Sequence, residues 1–218
     1  MNLPPGSVEA SRKIGIFGLF GQQNWGNECT LQAILWNLRY YLPDSEIYCI
    51  CTNPQDTVAR FQIPSYKITS DHRSTNENIK ASLIKYLFKI IGTLSAEIRH
   101  WFRVYGILNN THIIIFPGTG LLTDFEGKIY GRCYEIFKWT MVSRIRRCKI
   151  MCLSMGAGPI RHPVSRLFVR LALSMANYRS CRNEYSKIYL KGIGVDVSKD
   201  PIYPDLAFSV PKDMFDRK

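Results

Sequence analysis

The chain has 218 residues, of which 46% are hydrophobic and 21% charged, and its formal net charge is +12 at pH 7. This length can bury a core and suits one α/β domain, or one half of a two-domain protein. No stretch is long and apolar enough for a transmembrane helix, and the first residues lack the apolar core of a signal peptide, so we expect a cytoplasmic protein. The charge favours anionic partners (nucleic acid, anionic lipid or phosphorylated substrates) without choosing among them.

Seven cysteines are scattered along the chain without the spacing of a zinc site, and their odd number fits a reducing compartment. Cys49 and Cys51 alternate within a predicted strand, where their side chains share a face and are expected to pack in the core. The sequence therefore predicts no metal site.

Buried strands and amphipathic helices alternate along most of the chain. The predicted strands are 13–18, 46–51, 63–68 (an edge strand, because of Pro64), 112–116, 149–154 and 177–181. The predicted helices are 27–42, 53–62, 79–91, 97–108, 129–147, 163–176 and 183–191. This alternation predicts a Rossmann-like α/β fold: an open, mostly parallel sheet with helices on both faces and right-handed crossovers.

The domain boundaries follow from the same pattern. Residues 1–12 are expected to form a flexible leader, and 13–210 a single α/β domain whose end, 201–210, is short and extended. Residues 211–218 are interpreted as the start of a linker or a truncated end.

Three glycine-rich loops, 18–27, 117–124 and 154–160, each follow a buried strand. In a parallel sheet such loops gather at one edge, where glycines let backbone amides approach a ligand. The sequence therefore predicts a binding cleft there. Its candidate residues are Gly21, Asn24, Gly26, Asn27, Glu28, Gly118, Thr119, Gly120, Asp124, Gly156, Gly158 and Arg161.

The first of these loops matches neither the P-loop nor the dinucleotide fingerprint, so a structural turn capped by Asn27 is its alternative interpretation. Asp124 or Glu28 is a candidate general base for a substrate hydroxyl. The alternatives are capping of the following segment by Asp124 and stabilisation of the first helical turn by Glu28.

Five blocks of sequence, in this order, resemble the polysaccharide pyruvyl transferase family. They are GIFGLFGQQNWGNECTLQAI, IIIFPGTGLLTD, CLSMGAGPI, YRSCRNEYSKIYLKGIGVDV and YPDLAFSV, and they cover about residues 13–210. Two departures stand out: Pro117 and Thr119 occupy glycine positions of the family's turn, and Asn183 stands where the family has an aspartate after Arg182.

The resemblance implies the amino-terminal, acceptor-side half of a GT-B-like two-domain enzyme. Such an enzyme transfers pyruvyl from phosphoenolpyruvate to a sugar of a cell-surface or exopolysaccharide, forming a ketal, with no metal or nucleotide cofactor. Loops 18–28 and 117–124 would hold the sugar, and Arg161 and Arg182 would neutralise phosphate. Because the donor site is expected in the other half, this chain would be incomplete.

Two alternatives from other classes remain open: a non-catalytic carbohydrate- or partner-binding module, and the acceptor domain of a GT-B sugar-nucleotide glycosyltransferase. The basic helices at 79–91 and 97–108, with Trp101, Phe102 and Tyr105, predict either contact with the inner face of an anionic membrane or ordinary packing on the sheet. Lipid-linked sugar acceptors would suit the first. No nucleic acid partner is expected, and the oligomeric state is open.

Overall fold

The computed structural model describes residues 11–70, 83–124 and 131–210, and of residues 83–90 it describes the backbone alone. The predicted leader, except its last two residues, and the predicted linker lie outside the described residues.

In these described ranges, six parallel strands form one sheet in the order β3-β2-β1-β4-β5-β6. The strands are β1 (Lys13–Gly18), β2 (Glu46–Cys51), β3 (Ser65–Lys67), β4 (Ile113–Pro117), β5 (Lys149–Met155) and β6 (Tyr178–Cys181). The helices are α1 (Trp25–Tyr41), α2 (Pro54–Phe61), α3 (Leu83–Ile107), α4 (Arg132–Ile145), α5 (Pro163–Ser174) and α6 (Glu184–Gly192). The predicted Rossmann-like α/β class and the edge position of β3 are confirmed.

Hydrophobic residues cover the sheet on both faces, in two separate clusters. One cluster packs α1 against alternate strand residues such as Ile16 and Cys49. The other packs α3 to α6, including the buried Trp139 of α4, against strand residues such as Phe17. Alternation along β1 and β2 divides their side chains between these faces. The strand order reverses between β1 and β4, and in open α/β sheets the crevice at such a reversal is the usual ligand site.

Two sequence predictions about local structure are wrong. The helices predicted at 79–91 and 97–108, on either side of Gly92, are one continuous helix, α3, over the described residues, and the predicted start at 79–82 lies outside them. A helical glycine costs roughly 0.5–1 kcal/mol relative to alanine, which does not suffice to end a long helix. The carboxyl-terminal segment is not simply extended, because Leu206–Ser209 forms a 3-10 helix capped by Asp205.

Across the part of the chain that the structure describes, α3 and every other helix lacks the combination of length and hydropathy that a membrane-spanning segment needs.

Candidate functional site

The loop between β1 and α1 is held by its own polar side chains. Asn24 is the N-cap of α1, and its side chain accepts a hydrogen bond from the Asn27 amide. Asn27 donates in turn from Nδ2 to the Leu19 carbonyl at 3.0 Å. The predicted cap is therefore displaced by one turn: Asn24 caps the helix, and Asn27 ties the helix back to the strand end.

Glu28, in the first turn of α1, makes a buried hydrogen bond back to the same loop. Its side chain is buried, and Oε1 accepts a hydrogen bond from the Gly21 amide at 2.9 Å. Gly21 has φ +78°, and a Cβ there would lie 2.3 Å from the Asn53 carbonyl oxygen. These contacts give Glu28 and Gly21 a role in loop structure, whereas a Cβ on Gly26 would have its nearest neighbour at 3.5 Å.

The loop after β4 packs on both neighbouring loops. A Cβ on Gly118 would lie 1.9 Å from the Ser154 carbonyl oxygen of β5. Thr119 is buried, and its Oγ1 accepts a hydrogen bond from the Leu19 amide at 3.4 Å. The residue that departs from the family's glycine thus joins the loops after β1 and β4. Gly120, with φ +70°, has open space where a Cβ would stand.

The loop after β5 is packed in a similar way. A Cβ on Gly156 would lie 2.7 Å from Arg182 Nη2, and one on Gly158 would lie 2.7 Å from Thr123 Cγ2. Both glycines therefore permit close contact within the protein.

Asp124 joins the loops after β4 and β5. Its Oδ2 accepts hydrogen bonds from the backbone amides of Arg161 at 2.7 Å and His162 at 2.8 Å. His162 is the N-cap of α5, so the carboxylate stands close to the positive end of that helix. Asp124 therefore caps the start of α5, a helix that begins about 39 residues later in the chain, and not the segment that directly follows it. Only the backbone amide of Arg161 takes part in this contact, and its side chain is exposed.

Arg182 belongs to a hydrogen-bonded cluster around Asp205. Its Nη1 donates to Asp205 Oδ2 at 3.0 Å, and the other Asp205 oxygen accepts from Thr30 of α1 and from the Ala207 amide. Asn183, the other family departure, caps α6 by accepting hydrogen bonds from the amide and hydroxyl of Ser186. Capping at that position is therefore retained without the aspartate's charge.

A cavity of about 280 Å³ opens beside these loops, near the reversal of the strand order. Its polar lining comes from Gln22, Thr52, Thr69, Arg132 and Glu135, and its apolar lining from Phe17, Leu19, Ile68 and Leu121. The hydroxyl oxygen of Thr52 is buried and has no hydrogen-bond partner among the described residues. Gln22, a polar residue of the predicted loop 18–27, lines this cavity, whereas the candidate glycines and the other candidate residues of the three loops do not.

A charged network lies behind the cavity wall. Lys138 is fully buried, and its Nζ contacts Glu97 Oε1 at 2.8 Å, His100 Nδ1 at 2.8 Å and a Glu135 carboxylate oxygen at 3.0 Å. Tyr134 donates its hydroxyl to the same oxygen of Glu97 at 2.7 Å. The sequence offered one signal for it, a Glu and a Lys three residues apart within a helix rich in Tyr, Phe and Trp.

The two carboxyl groups of this network have opposite pKa shifts. Burial raises the pKa of Glu135 to about 7, although the charge of Lys138 opposes it. Burial would also raise the pKa of Glu97, but hydrogen bonds from Lys138 and Tyr134 outweigh that effect and the pKa is lowered. Paired titratable groups with diverging pKa values are typical of acid–base sites.

Among the described residues, no three His, Cys, Asp or Glu side chains are placed to hold a metal ion together.

The fold is similar to a solved structure, that of UDP-GlcNAc 2-epimerase from Methanocaldococcus jannaschii. The TM-score is 0.53 at 11% sequence identity, and the match covers 88% of this chain and 45% of that chain. This likeness shows a GT-B-like α/β fold. Because the match covers only 45% of that chain, the present chain spans less than half of its length.

Comparison with curated proteins found no match. A family model described as polysaccharide pyruvyl transferase, however, matches residues 24–217, nearly the whole chain. This match confirms the resemblance carried by the five sequence blocks. The chain belongs to the polysaccharide pyruvyl transferase family.

Proposed function

We propose that this chain is the acceptor-side part of an enzyme that transfers pyruvyl from phosphoenolpyruvate to a sugar of a cell-surface or exopolysaccharide, forming a ketal. The family match over residues 24–217 is the observation that carries this proposal. Because the chain spans less than half of the solved structure that it matches, a second domain is proposed to complete the donor site, and the assays below are made on the full-length protein.

The cavity supports a sugar as the molecule bound on this side. At about 280 Å³ it is at the lower limit of typical ligand pockets, which suits one sugar ring better than a nucleotide. Its hydroxyl, amide, carboxylate and guanidinium groups are those that pair with sugar hydroxyls. Gly26 and Gly120 have room for a ligand to approach the backbone, so we keep them as proposed contacts. Asn24, Asn27, Glu28, Thr119 and Asp124 are proposed to hold the loops that surround it.

Arg161 is the proposed partner of the donor phosphate. Its guanidinium is exposed at the strand-end loops, while Arg182 is paired with Asp205. A charged hydrogen bond to phosphate contributes about 1.5–3 kcal/mol, so we expect Arg161→Ala to raise the KM for phosphoenolpyruvate roughly 10- to 100-fold. The measurement is acceptor-dependent phosphate release, with p-nitrophenyl hexosides of gluco, galacto and manno configuration as acceptors.

The matched control for that experiment is Arg39→Ala, an exposed arginine in the last turn of α1. Equal KM values for the two variants would contradict the role of Arg161. Ketal formation is checked by a mass increase of the hexoside equal to pyruvate less water. Hexoside binding without phosphate release would favour a non-catalytic module, and turnover of UDP- or GDP-sugars would favour a glycosyltransferase.

We also propose that α3 contacts the inner face of an anionic membrane. Its exposed apolar residues recur every three or four positions and are Ile91, Leu94, Ile98, Phe102 and Tyr105. Arg99 and Arg103 are exposed on the flank of this stripe. An apolar stripe with adjacent cations, on a chain of net charge +12, is typical of a helix lying in a membrane interface. Trp101 is not part of it, because its Nε1 donates to the Tyr134 hydroxyl.

Replacing Phe102, which is 73% exposed, with serine removes apolar surface from this stripe. We expect the substitution to weaken binding to anionic vesicles about tenfold, on the order of 1.5 kcal/mol for one aromatic side chain. Co-sedimentation with phosphatidylserine-containing vesicles measures it. Phe208→Ser, at 80% exposure near α1, is the matched control and should bind like the wild type. Equal sedimentation with neutral and anionic vesicles would contradict membrane docking through charge.

A further inference from the structure

Glu135 is the point where the buried charged network reaches the cavity. Its side chain lines the cavity, yet only 6% of the residue is exposed. The carboxylate lies 3.0 Å from Lys138 Nζ, one helical turn further along α4. Because Lys138 is itself fully buried, the position of this carboxylate is fixed from behind.

The network contains one more carboxylate than its central lysine can neutralise. An ammonium group has three donors, and Lys138 directs them to Glu97, His100 and Glu135. The Nδ1 atom of His100, at 2.8 Å, can pair with an ammonium donor only by accepting its hydrogen bond, and so brings no cation of its own to that contact. One lysine charge between two carboxylates leaves a surplus negative charge, so one of the two carboxyl groups binds a proton readily.

Glu135 is the carboxyl group that can exchange this proton. Glu97 accepts a second hydrogen bond, from Tyr134, which stabilises its ionised form. Glu135 is the more buried of the two and opens on the cavity. Among the other side chains that line it, Gln22, Thr52 and Thr69 cannot accept a proton near neutral pH, and Arg132 is permanently protonated.

We propose that Glu135 takes the proton from the sugar hydroxyl that attacks the pyruvyl donor, and that the cavity holds that sugar ring. This inference rests on the proposed function. As the hydroxyl oxygen forms its bond to C2 of phosphoenolpyruvate, Glu135 takes the hydroxyl proton, and the C2–C3 π electrons take a proton from solvent at C3. Breaking of the C2–O bond then releases phosphate, and a second hydroxyl of the sugar adds to C2. Its proton leaves with the phosphate, while Glu135 returns the first proton to solvent.

The test compares Glu135→Gln with Glu97→Gln. Glutamine keeps an oxygen that Lys138 can donate to but cannot take a proton. We expect Glu135→Gln to lower kcat at least about 100-fold, as is usual on loss of a general base. The KM for the p-nitrophenyl hexoside should stay within a few-fold, because the cavity keeps its shape. Glu97→Gln removes a carboxylate of the same network that does not line the cavity, and should lower kcat much less.

The pH profile separates proton transfer from positioning. In the wild type, kcat should fall as the pH drops below about 7, because Glu135 then starts out protonated. The Glu135→Gln variant should lose this fall of kcat on the acidic side of the profile, its acidic limb. The Glu135→Asp variant should recover part of the rate and show the acidic limb again. The groups facing Glu135 in the described residues are Lys138, Glu97, His100, Tyr134 and Arg132.

The outcomes for the assignment and for the proposed function can be told apart. If the wild type transfers pyruvyl but Glu135→Gln keeps its kcat and its acidic limb, the assignment of Glu135 is overturned and the proposed function stands. If the wild type releases no phosphate with any of the hexosides, the proposed function fails and the assignment fails with it. Saturation-transfer NMR then shows whether the protein still binds a hexoside, as a non-catalytic module would.

Discussion

Replacing Lys138 with methionine should lower the free energy of unfolding by about 3–5 kcal/mol at pH 8, the usual cost of removing one partner from a buried ion pair. Methionine fills a similar volume, so the loss comes from electrostatics. It leaves Glu97 and Glu135 close together behind the cavity with no cation between them. Urea denaturation measures the change, and for a chain of this size it corresponds to a fall in Tm of roughly 6–20 °C.

The destabilisation by Lys138→Met should be smaller at pH 5 than at pH 8. Without the lysine, the pKa of both carboxyl groups rises. A group with a raised pKa in the folded state binds more protons folded than unfolded, so stability falls as the pH rises. In the wild type, the raised pKa of Glu135 already makes the folded state less stable as the pH rises through about 7. The lowered pKa of Glu97 has the opposite effect, because its contribution to stability is lost as the pH falls.

Two further variants test this explanation. Lys138→Met combined with Glu135→Gln should recover part of the lost stability, because only one carboxylate is then left without its partner. Lys199→Met changes an exposed lysine and should alter stability by less than about 0.5 kcal/mol. A loss below about 1 kcal/mol for Lys138→Met at pH 8 would show that the buried pair does not hold α3 and α4 together.

The sequence predicted the sheet well because hydrophobic periodicity is a local property. Each strand of a parallel sheet is a short apolar run, and the loops that follow the strands are visible as glycine clusters. The charged network was missed for the opposite reason. Glu135 and Lys138 lie in the predicted helix 129–147, where charged residues are usually exposed. Their burial depends on Glu97 and His100, which α3 supplies from about forty residues earlier. Contacts of that separation leave no periodic pattern.

The sequence located the candidate residues at one edge of the sheet, but it did not distinguish those that contact a ligand from those that hold the loops together. The glycine loops do gather at one edge, yet Gly21, Gly118, Gly156 and Gly158 are needed for contact within the protein. A glycine that faces backbone and one that faces a ligand are identical in sequence. The same holds for Asp124, which accepts two backbone hydrogen bonds from a loop about 37 residues further along the chain.

Gly118→Ala should be the most destabilising of the possible glycine substitutions at this edge. Its Cβ would stand 1.9 Å from the Ser154 carbonyl oxygen and 2.9 Å from the Ser154 carbonyl carbon. Both atoms belong to the backbone of β5, which pairs with β4 beside it, so relief requires movement of a strand end. Overpacking of a rigid core costs typically 1–3 kcal/mol, and occasionally more when backbone must shift. We expect at least about 3 kcal/mol, which is a fall in Tm of roughly 6 °C or more.

Gly106→Ala is the matched control, because it makes the same chemical change in helix α3 with no described residue within 4 Å of the new Cβ. It should raise stability by about 0.5–1 kcal/mol, since alanine is the better helix former. If Gly118→Ala melted within about 2 °C of the wild type, the loops after β4 and β5 would have to be able to separate. If it melted as expected, the close packing of Gly118 on Ser154 would be what fixes the position of Thr119, and with it the link from β4 to the loop after β1.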